Sequence, residues 1–171
     1  MSFSRRRIDV SFRIAGPNSI PGATGNTLIA KGLRVHATIS KPGMVPGIAQ
    51  VRIYGLSLSA MNQLSTIGIV RQAANGNEIT ISAGDDNGTS VCFQGQINEC
   101  YADLNESPDS PLVVHAQTGL LNQLAPAQAT SYAGSVDAAQ VLAYLASASS
   151  PILQLENNGV AGIMLSNPYY P

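Results

Sequence analysis

Apolar and polar residues alternate one by one along several stretches of the chain, and residues 33 to 40 show the pattern most clearly. The apolar positions there are Leu33, Val35, Ala37 and Ile39, and the polar positions are Arg34, His36, Thr38 and Ser40. Successive side chains of a strand point to opposite faces, so this period of two predicts a strand with one buried face. Residues 6 to 14 follow the same rule, with apolar side chains at Ile8, Val10, Phe12 and Ile14.

One short helix is predicted to interrupt the strands. After a third strand at about 49 to 55 comes a segment with an apolar residue every three or four positions, and Ser57 precedes it. A serine at this place accepts a hydrogen bond from a backbone N–H of the first turn, which favours the start of a helix. We therefore expect a helix from Ser57 to about Thr66, after which the alternation resumes at Glu78.

A tight hairpin is predicted next. Alternation runs from Ile79 to a turn of sequence Asp-Asp-Asn-Gly at 85–88, and then resumes at Val91. Asn-Gly supplies the positive φ that such a turn needs. The turn resembles the start of a calcium loop, but the remaining ligand positions are missing, which favours turn chemistry. Gly95 is expected at a bulge or corner, and residues 112 to 116 form a further strand.

The character of the chain changes beyond Gly119. Ser135 is expected to cap a helix from Val136 to Ser147, and Asn157-Asn158-Gly159 lies between two short apolar runs, which predicts a second hairpin. The sequence thus predicts a mainly β (α+β) fold. We expect an antiparallel barrel or sandwich in residues 1–118 and a small α+β domain in residues 119–171, with the natural chain continuing beyond Pro171.

Charge is scarce in this sequence. The 171 residues contain 44% hydrophobic but only 11% charged residues, with a net charge of −1. Typical proteins have about 25% charged residues. The absence of a strongly basic face argues against general DNA binding, and weak self-repulsion suggests that partners cover much of the surface. No apolar run is long enough to span a membrane, and the amino terminus lacks the apolar segment of a signal peptide.

The two cysteines are expected to be free, buried thiols. Cys92 and Cys100 would lie about 26 Å apart on one continuous strand, at ~3.3 Å per residue, which is beyond the reach of a disulfide. A sharp bend at Gly95 would shorten this distance, but free thiols are the preferred interpretation. Free thiols fit a protein that folds in a reducing cytoplasm.

The residues give no support to an enzyme. Both histidines fall on strands, and no nucleophile elbow, metal-ligand cluster or glycine-rich phosphate loop occurs. We therefore expect no catalytic residues, no metal and no cofactor. Arg5, Arg6 and Arg7 could contact phosphate, but no second basic cluster lies nearby in the sequence, so a solvated or interface-facing strand end is preferred.

The polar faces of the strands are the remaining candidate site. They are hydrophilic without any acidic residue, and the tentative channel- or interface-facing positions are Arg34, His36, Arg52, Gln94 and Gln96. Such a face could line a wet channel or a polar subunit interface, or be an ordinary solvated sheet face.

The order of elements resembles the hub proteins of bacteriophage tail baseplates. The resemblance rests on the order of the elements and on three segments. A strand, a long loop and a second strand come first, followed by the short helix and the hairpin. The segments are Val-Arg-Ile-Tyr-Gly-Leu-Ser at 51–57, Met-Asn-Gln-Leu at 61–64 in the helix, and Val-Cys-Phe-Gln-Gly-Gln-Ile at 91–97. The Phe-Gln-Gly-Gln-Ile part is similar to a strand of tail-tube-like domains. The match covers about residues 6 to 118.

This resemblance implies a structural virion protein. It would form a homotrimeric hub ring that joins the tail tube to the central spike, with tail tube protein, spike and other baseplate proteins as partners. Genomic DNA would only pass through the lumen, and the protein would assemble in the host cytoplasm without contacting a membrane. A hub has two tube-like barrels per chain, whereas one is visible here. The alternatives are a tail tube or tube-initiator subunit and, from another class, a receptor- or carbohydrate-binding β-sandwich.

Overall fold

The computed structural model describes residues 5–14, 26–43, 45–65, 76–106, 108–120, 129–149 and 159–170. The chain forms two compact units, Met1–Leu120 and Leu121–Pro171. The first unit contains β1 (Arg7–Arg13), β2 (Thr27–Ala30), β3 (Arg34–Ser40), β4 (Ile48–Tyr54), α1 (Leu58–Leu64), β5 (Glu78–Asp85), β6 (Gly88–Ala102), a short 3-10 turn (Leu104–Glu106) and β7 (Leu112–Gln117). The second contains β8 (Thr130–Ser131), β9 (Ser135–Asp137), α2 (Ala138–Ala148), β10 (Met164–Ser166) and β11 (Tyr169–Tyr170). The predicted mainly β, α+β fold class is confirmed.

The seven strands of the first unit form one antiparallel sheet in the order β2-β1-β5-β6-β7-β4-β3. Its two edge strands, β2 and β3, follow each other in the chain and are separated only by residues 31 to 33. Since every neighbouring pair is antiparallel, β2 and β3 run in the same direction. The sheet must therefore curl until its two ends lie close together. No pairing joins β2 to β3 within the described residues, so hydrogen bonds do not close the curl into a barrel.

Gly32 marks the point where the chain leaves one edge for the other. Its φ of +72° lies in the left-handed region, which favours glycine and interrupts a strand. Continuing the β1–β2 register past its Val10–Ala30 pair would place Arg34 opposite Arg6. Directly opposed like charges destabilise a sheet, so the switch to β4 also separates these two arginines.

The core fills the inside of the curl. The inward positions predicted on β1 are confirmed at Val10 and Phe12, which are fully buried. On β3 the apolar positions are half-buried and the polar positions are exposed, as predicted. The core continues across the other strands and α1 with Val51, Ile53, Met61, Leu64, Ile79, Ile81, Phe93, Ile97, Leu112 and Val114.

The helix α1 confirms the predicted cap and ends close to the expected position. The Ser57 hydroxyl accepts a hydrogen bond from the Ala60 N–H at 3.2 Å. Three residues of the helix, Ala60, Met61 and Leu64, are buried. Their spacing of three to four positions is the pattern that predicted the helix.

The long strand β6 changes its pairing partner along its length. It pairs with β5 up to Gln96 and with β7 from Gln96 onward. The register shifts fall at Cys92 and Asn98 rather than at Gly95. Gly95 instead lies at the corner where β6 passes from β5 to β7. A Cβ there would lie 2.8 Å from the Gln117 carbonyl oxygen, so only glycine fits without a backbone shift.

The second unit corrects one prediction. The helix begins at Ala138, and its cap is Asp137, whose Oδ1 accepts the Ala139 N–H at 2.8 Å. Ser135 does not cap the helix, because it lies in β9, which pairs with β10. The carboxylate of Asp137 is the stronger acceptor at the positive end of a helix. The first arm and most of the turn of the predicted second hairpin lie outside the described residues.

Neither Cys92 nor Cys100 forms a disulfide, as predicted, but the predicted burial is confirmed for Cys100 alone, since Cys92 is half-buried. Cys100 is fully buried, and this burial raises the pKa of its thiol to about 12. Within the described ranges, no helix has the length and apolar character that crossing a bilayer requires.

Candidate functional site

The polar face formed by β3, β4 and β7 holds most of the predicted site residues. Arg34 and His36 occupy alternate positions of β3 and are exposed. In the antiparallel register His36 pairs with Arg52 of β4, and Gln50 of β4 lies between Thr38 and His115 of β7. The structure therefore brings Arg34, His36 and Arg52 together on one outer surface of the sheet.

Arg34 is held in place by two neighbours. Its guanidinium carbon lies 3.8 Å from the centroid of the Tyr54 ring, a cation-π contact across the β3–β4 pair. Its Nη2 lies 3.5 Å from Asp109 Oδ2. Both charged side chains are largely exposed, and exposed ion pairs contribute only about 0 to 1 kcal/mol. The contacts orient Arg34 more than they stabilise the fold.

Arg52 belongs to a second small network. It donates a close, charge-assisted hydrogen bond to Glu106, and Tyr54 Oη donates to the other oxygen of the same carboxylate at 3.1 Å. The hydrogen bond to Glu106 is the main reason that the pKa of Arg52 rises above its usual value. Arg52 therefore stays charged at any physiological pH.

A third polar row runs along β4, β7 and β6. Gln50 Nε2 lies 3.3 Å from His115 Nε2, and His115 Nδ1 lies 3.6 Å from Glu99 Oε2. The Tyr101 ring meets the His115 ring edge-on, with centroids 6.4 Å apart. The row links three strands through side chains that remain accessible to solvent.

This surface contains acidic side chains, contrary to the prediction from the sequence. Glu106 and Asp109 come from the loop between β6 and β7, and Glu99 comes from β6 itself. None of them is near Arg34 or Arg52 in sequence, so only the sheet topology reveals the pairing. The β3, β4 and β7 surface is a mixed, internally paired polar face rather than a bare basic one.

The two glutamines predicted for the site, Gln94 and Gln96, lie in different environments. Gln94 is exposed, whereas Gln96 is only 5% exposed and is buried. Gln96 Oε1 accepts a hydrogen bond from the backbone N–H of Leu120 at 3.0 Å. The prediction that Gln96 faces a channel or interface is therefore wrong for this unit. Leu120, three positions after the end of β7, contacts Gln96 on this face of β6.

A groove adjoins Arg34 on the side of the helix α1. It has a volume of about 590 Å³, and its lining includes Tyr54, Leu56, Leu58, Met61 and Leu104. Leu58 and Leu104 are each more than 60% exposed. The polar network thus borders an apolar groove, a combination that occurs at the rim of protein interfaces.

The described residues contain no group of three or more histidine, cysteine, aspartate or glutamate side chains able to hold a metal ion. No protein-family model matches the chain, and no curated protein sequence matches it. What the arrangement offers chemically is a set of oriented hydrogen-bond donors and acceptors beside exposed apolar side chains.

Proposed function

We propose that the chain is a structural subunit of a bacteriophage tail baseplate, forming the hub ring that joins the tail tube to the central spike. Its work is assembly, and DNA passes through the ring without being recognised. The order of strand, short helix, hairpin and bent strand supports this proposal, because it is the order on which the resemblance to baseplate hubs rests.

The observation that carries the proposal is the open edge of β3. This seven-residue strand pairs with β4, and no second partner occurs among the described residues. It contains no proline and no bulge, and its only charged side chain is Arg34 at one end. Long regular edges of this kind invite pairing with another chain, and monomers usually blunt them. An edge left unprotected fits a subunit whose neighbour covers it.

Exposed apolar side chains on the sheet support the same conclusion. Ile29 on β2, Ile48 on β4 and Val91 on β6 are each more than half exposed. The low charge content of the chain provides little repulsion between copies. A monomer with such a surface would be prone to association, whereas a ring subunit buries it.

Assembly and its dependence on β3 are tested together by native mass spectrometry. The purified chain is expected to form trimers, and Thr38→Lys is expected to reduce them strongly, because a lysine on an edge opposes strand addition. Ser59→Lys places the same charge on the exposed side of α1 and is the matched control. Trimers that survive Thr38→Lys unchanged would contradict the role of this edge.

Hexamers instead of trimers would favour a tail tube or tube-initiator subunit with the same fold. A receptor- or carbohydrate-binding sandwich is the candidate from another class. Glycan binding uses exposed aromatic side chains for stacking, and the chain has no Trp and only 5% aromatic residues. The scarcity of aromatic side chains therefore argues against glycan binding, and the open edge of β3 supports assembly.

A further inference from the structure

A basic cleft lies where the curled sheet fails to close. It has a volume of about 1150 Å³, and its walls are the start of β1, the link between β2 and β3, and the β5–β6 hairpin. Five of the described lysine and arginine residues line it, namely Arg5, Arg6, Arg7, Lys31 and Arg34. The two acidic residues in the lining, Asp85 and Asp86, leave a net charge of +3.

The walls of this cleft include two strand edges without a partner. β2 covers β1 only from Val10 to Arg13, so the described pairing leaves Arg7–Asp9 bonded to β5 alone. Across the cleft, Arg34 and Val35 begin β3, which is bonded to β4 alone in the part of the chain that the structure describes. Both edges carry backbone N–H and C=O groups able to accept another strand.

Several basic side chains at the cleft have no partner of opposite charge among the described residues. The side chains of Arg5, Arg6 and Lys31 form no ion pair among the described residues. Arg7 Nε lies 3.4 Å from Asp9 Oδ2, but this buried nitrogen makes no hydrogen bond, and neither does the buried Asp9 Oδ1. Arg7 lines the cleft, whereas Asp9 does not, so the groups at the cleft that lack a complement are the basic side chains.

We infer that this cleft is a binding site for an extended, acidic polypeptide segment of a partner protein. The segment adds as a strand to the open edge of β1 at Arg7–Asp9, and its carboxylates meet the basic side chains. Strand addition obtains affinity from main-chain hydrogen bonds and specificity from side chains. Arginine, which supplies four of the five basic groups, binds carboxylates in a planar, bidentate geometry.

A polypeptide fits the cleft better than a nucleic acid. A peptide backbone offers both donors and acceptors, as the open edge of β1 requires, whereas a phosphate backbone offers acceptors only. Among the described residues, no aromatic side chain lines the cleft for base stacking, and Ile8, Leu33 and Val35 give its wall an apolar part. Asp85 and Asp86 would repel a phosphate chain but accept peptide N–H groups.

A second copy of this chain is a poor occupant, because five carboxylates of the described residues are already ion-paired. Asp9, Glu78, Glu106 and Asp109 are ion-paired with arginines, and Glu99 with His115. Asp109 even pairs with Arg34 at the rim of the cleft of its own chain. The acidic segment is therefore assigned to another protein. The inference does not depend on the proposed ring.

Fluorescence anisotropy of the full chain tests the inference. The probe is a short labelled peptide in which glutamate alternates with valine or threonine. Lys31→Glu is expected to weaken its binding by about 10-fold or more, since a charge-assisted contact becomes repulsion. Lys41→Glu is the matched control, because Lys41 is also exposed and does not line the cleft; it is expected to leave binding unchanged.

Two further probes distinguish a peptide that pairs as a strand from a nucleic acid. The same peptide with methylated backbone nitrogens is expected to bind poorly, since it cannot pair with a strand edge, and a single-stranded oligonucleotide is expected to bind more weakly than the acidic peptide. No peptide binding at physiological salt, equal loss in both lysine variants, or preference for the oligonucleotide would overturn the inference. A monomeric chain that still binds the peptide would refute the ring and leave this site intact.

Discussion

Gln96 and Leu120 are joined by a buried hydrogen bond, in which the side-chain oxygen of the glutamine accepts the backbone N–H of the leucine at 3.0 Å. Leu120 is the last residue of the first unit, and it follows β7 by three positions. The bond therefore fixes the end of this unit against the corner of β6. It also explains why a glutamine occupies a buried position in a mainly apolar strand.

Gln96→Leu is expected to lower the free energy of unfolding of the first unit by about 1 to 3 kcal/mol, because the buried Leu120 N–H loses its acceptor. Urea denaturation measures the change. Gln94→Leu is the matched control on the same strand, and since Gln94 is exposed its effect is expected within about 0.5 kcal/mol of zero. Equal effects of the two substitutions would contradict the buried role of Gln96.

Gly95→Ala is expected to destabilise the first unit by about 1 to 3 kcal/mol, as overpacking does. The added Cβ would lie 2.8 Å from the Gln117 carbonyl oxygen and 2.9 Å from the Phe93 ring. Gly88→Ala, at the other end of β6, is the control, because a Cβ there meets nothing within 4 Å. Thermal unfolding of both variants checks the difference, and a neutral Gly95→Ala would show that the corner tolerates a side chain.

Ser57→Ala is expected to cost about 1 kcal/mol, because the Ala60 N–H loses the cap that starts α1. Ser59 lies in the same helix, is exposed, and caps nothing in the described hydrogen bonds. Ser59→Ala is therefore expected to be neutral or slightly stabilising, since alanine has the higher helix propensity. Circular dichroism during urea unfolding distinguishes the two. Loss of stability in Ser59→Ala alone would refute the cap.

The second unit is expected to become less stable in acid, because Asp137 becomes protonated. Hydrogen bonds from the N–H groups of Gly162 and Ala139 lower the pKa of this carboxyl below its usual 3.8. The ionised form is thus favoured by folding, so its contribution is present above pH 3.8 and is lost as the pH falls through the folded pKa. Urea titrations at several pH values, followed by the amide signals of Ala139 and Gly162, measure the loss.

Asp137→Asn is expected to remove much of this pH dependence, since its neutral side chain cannot titrate. Asp109→Asn, a change on the loop of the first unit, is expected to leave the pH dependence of the second unit as it was. If the Asp137→Asn variant kept the full acid dependence, another group would have to be responsible.

Alternation predicted the strands because each has one face in the core and one in solvent, as Val10 and His36 illustrate. It failed at Gln96 because this buried side chain binds the backbone of Leu120, which is remote in sequence. The cap of α2 was predicted at Ser135 from capping preferences, but Asp137, two positions later, is an equally good cap. Pairing with Leu165 and its neighbours makes Ser135–Asp137 a strand and leaves Asp137 as the cap.

The candidate site was predictable only in part for the same reason. The exposure of Arg34 and His36 follows from local alternation. The pairing of Arg34 with Asp109, and the meeting of Lys31 with Arg5 and Arg6, depend on a sheet order that places β3 at one edge and returns the chain across Gly32. Long-range register of this kind leaves no mark in a local pattern.

Class averages from electron microscopy of the purified chain test the proposed function most directly. The account predicts closed rings with a central channel and threefold symmetry, in which the β3 edge of each subunit meets a neighbour. Single subunits without rings, at concentrations where the protein is folded, would contradict it.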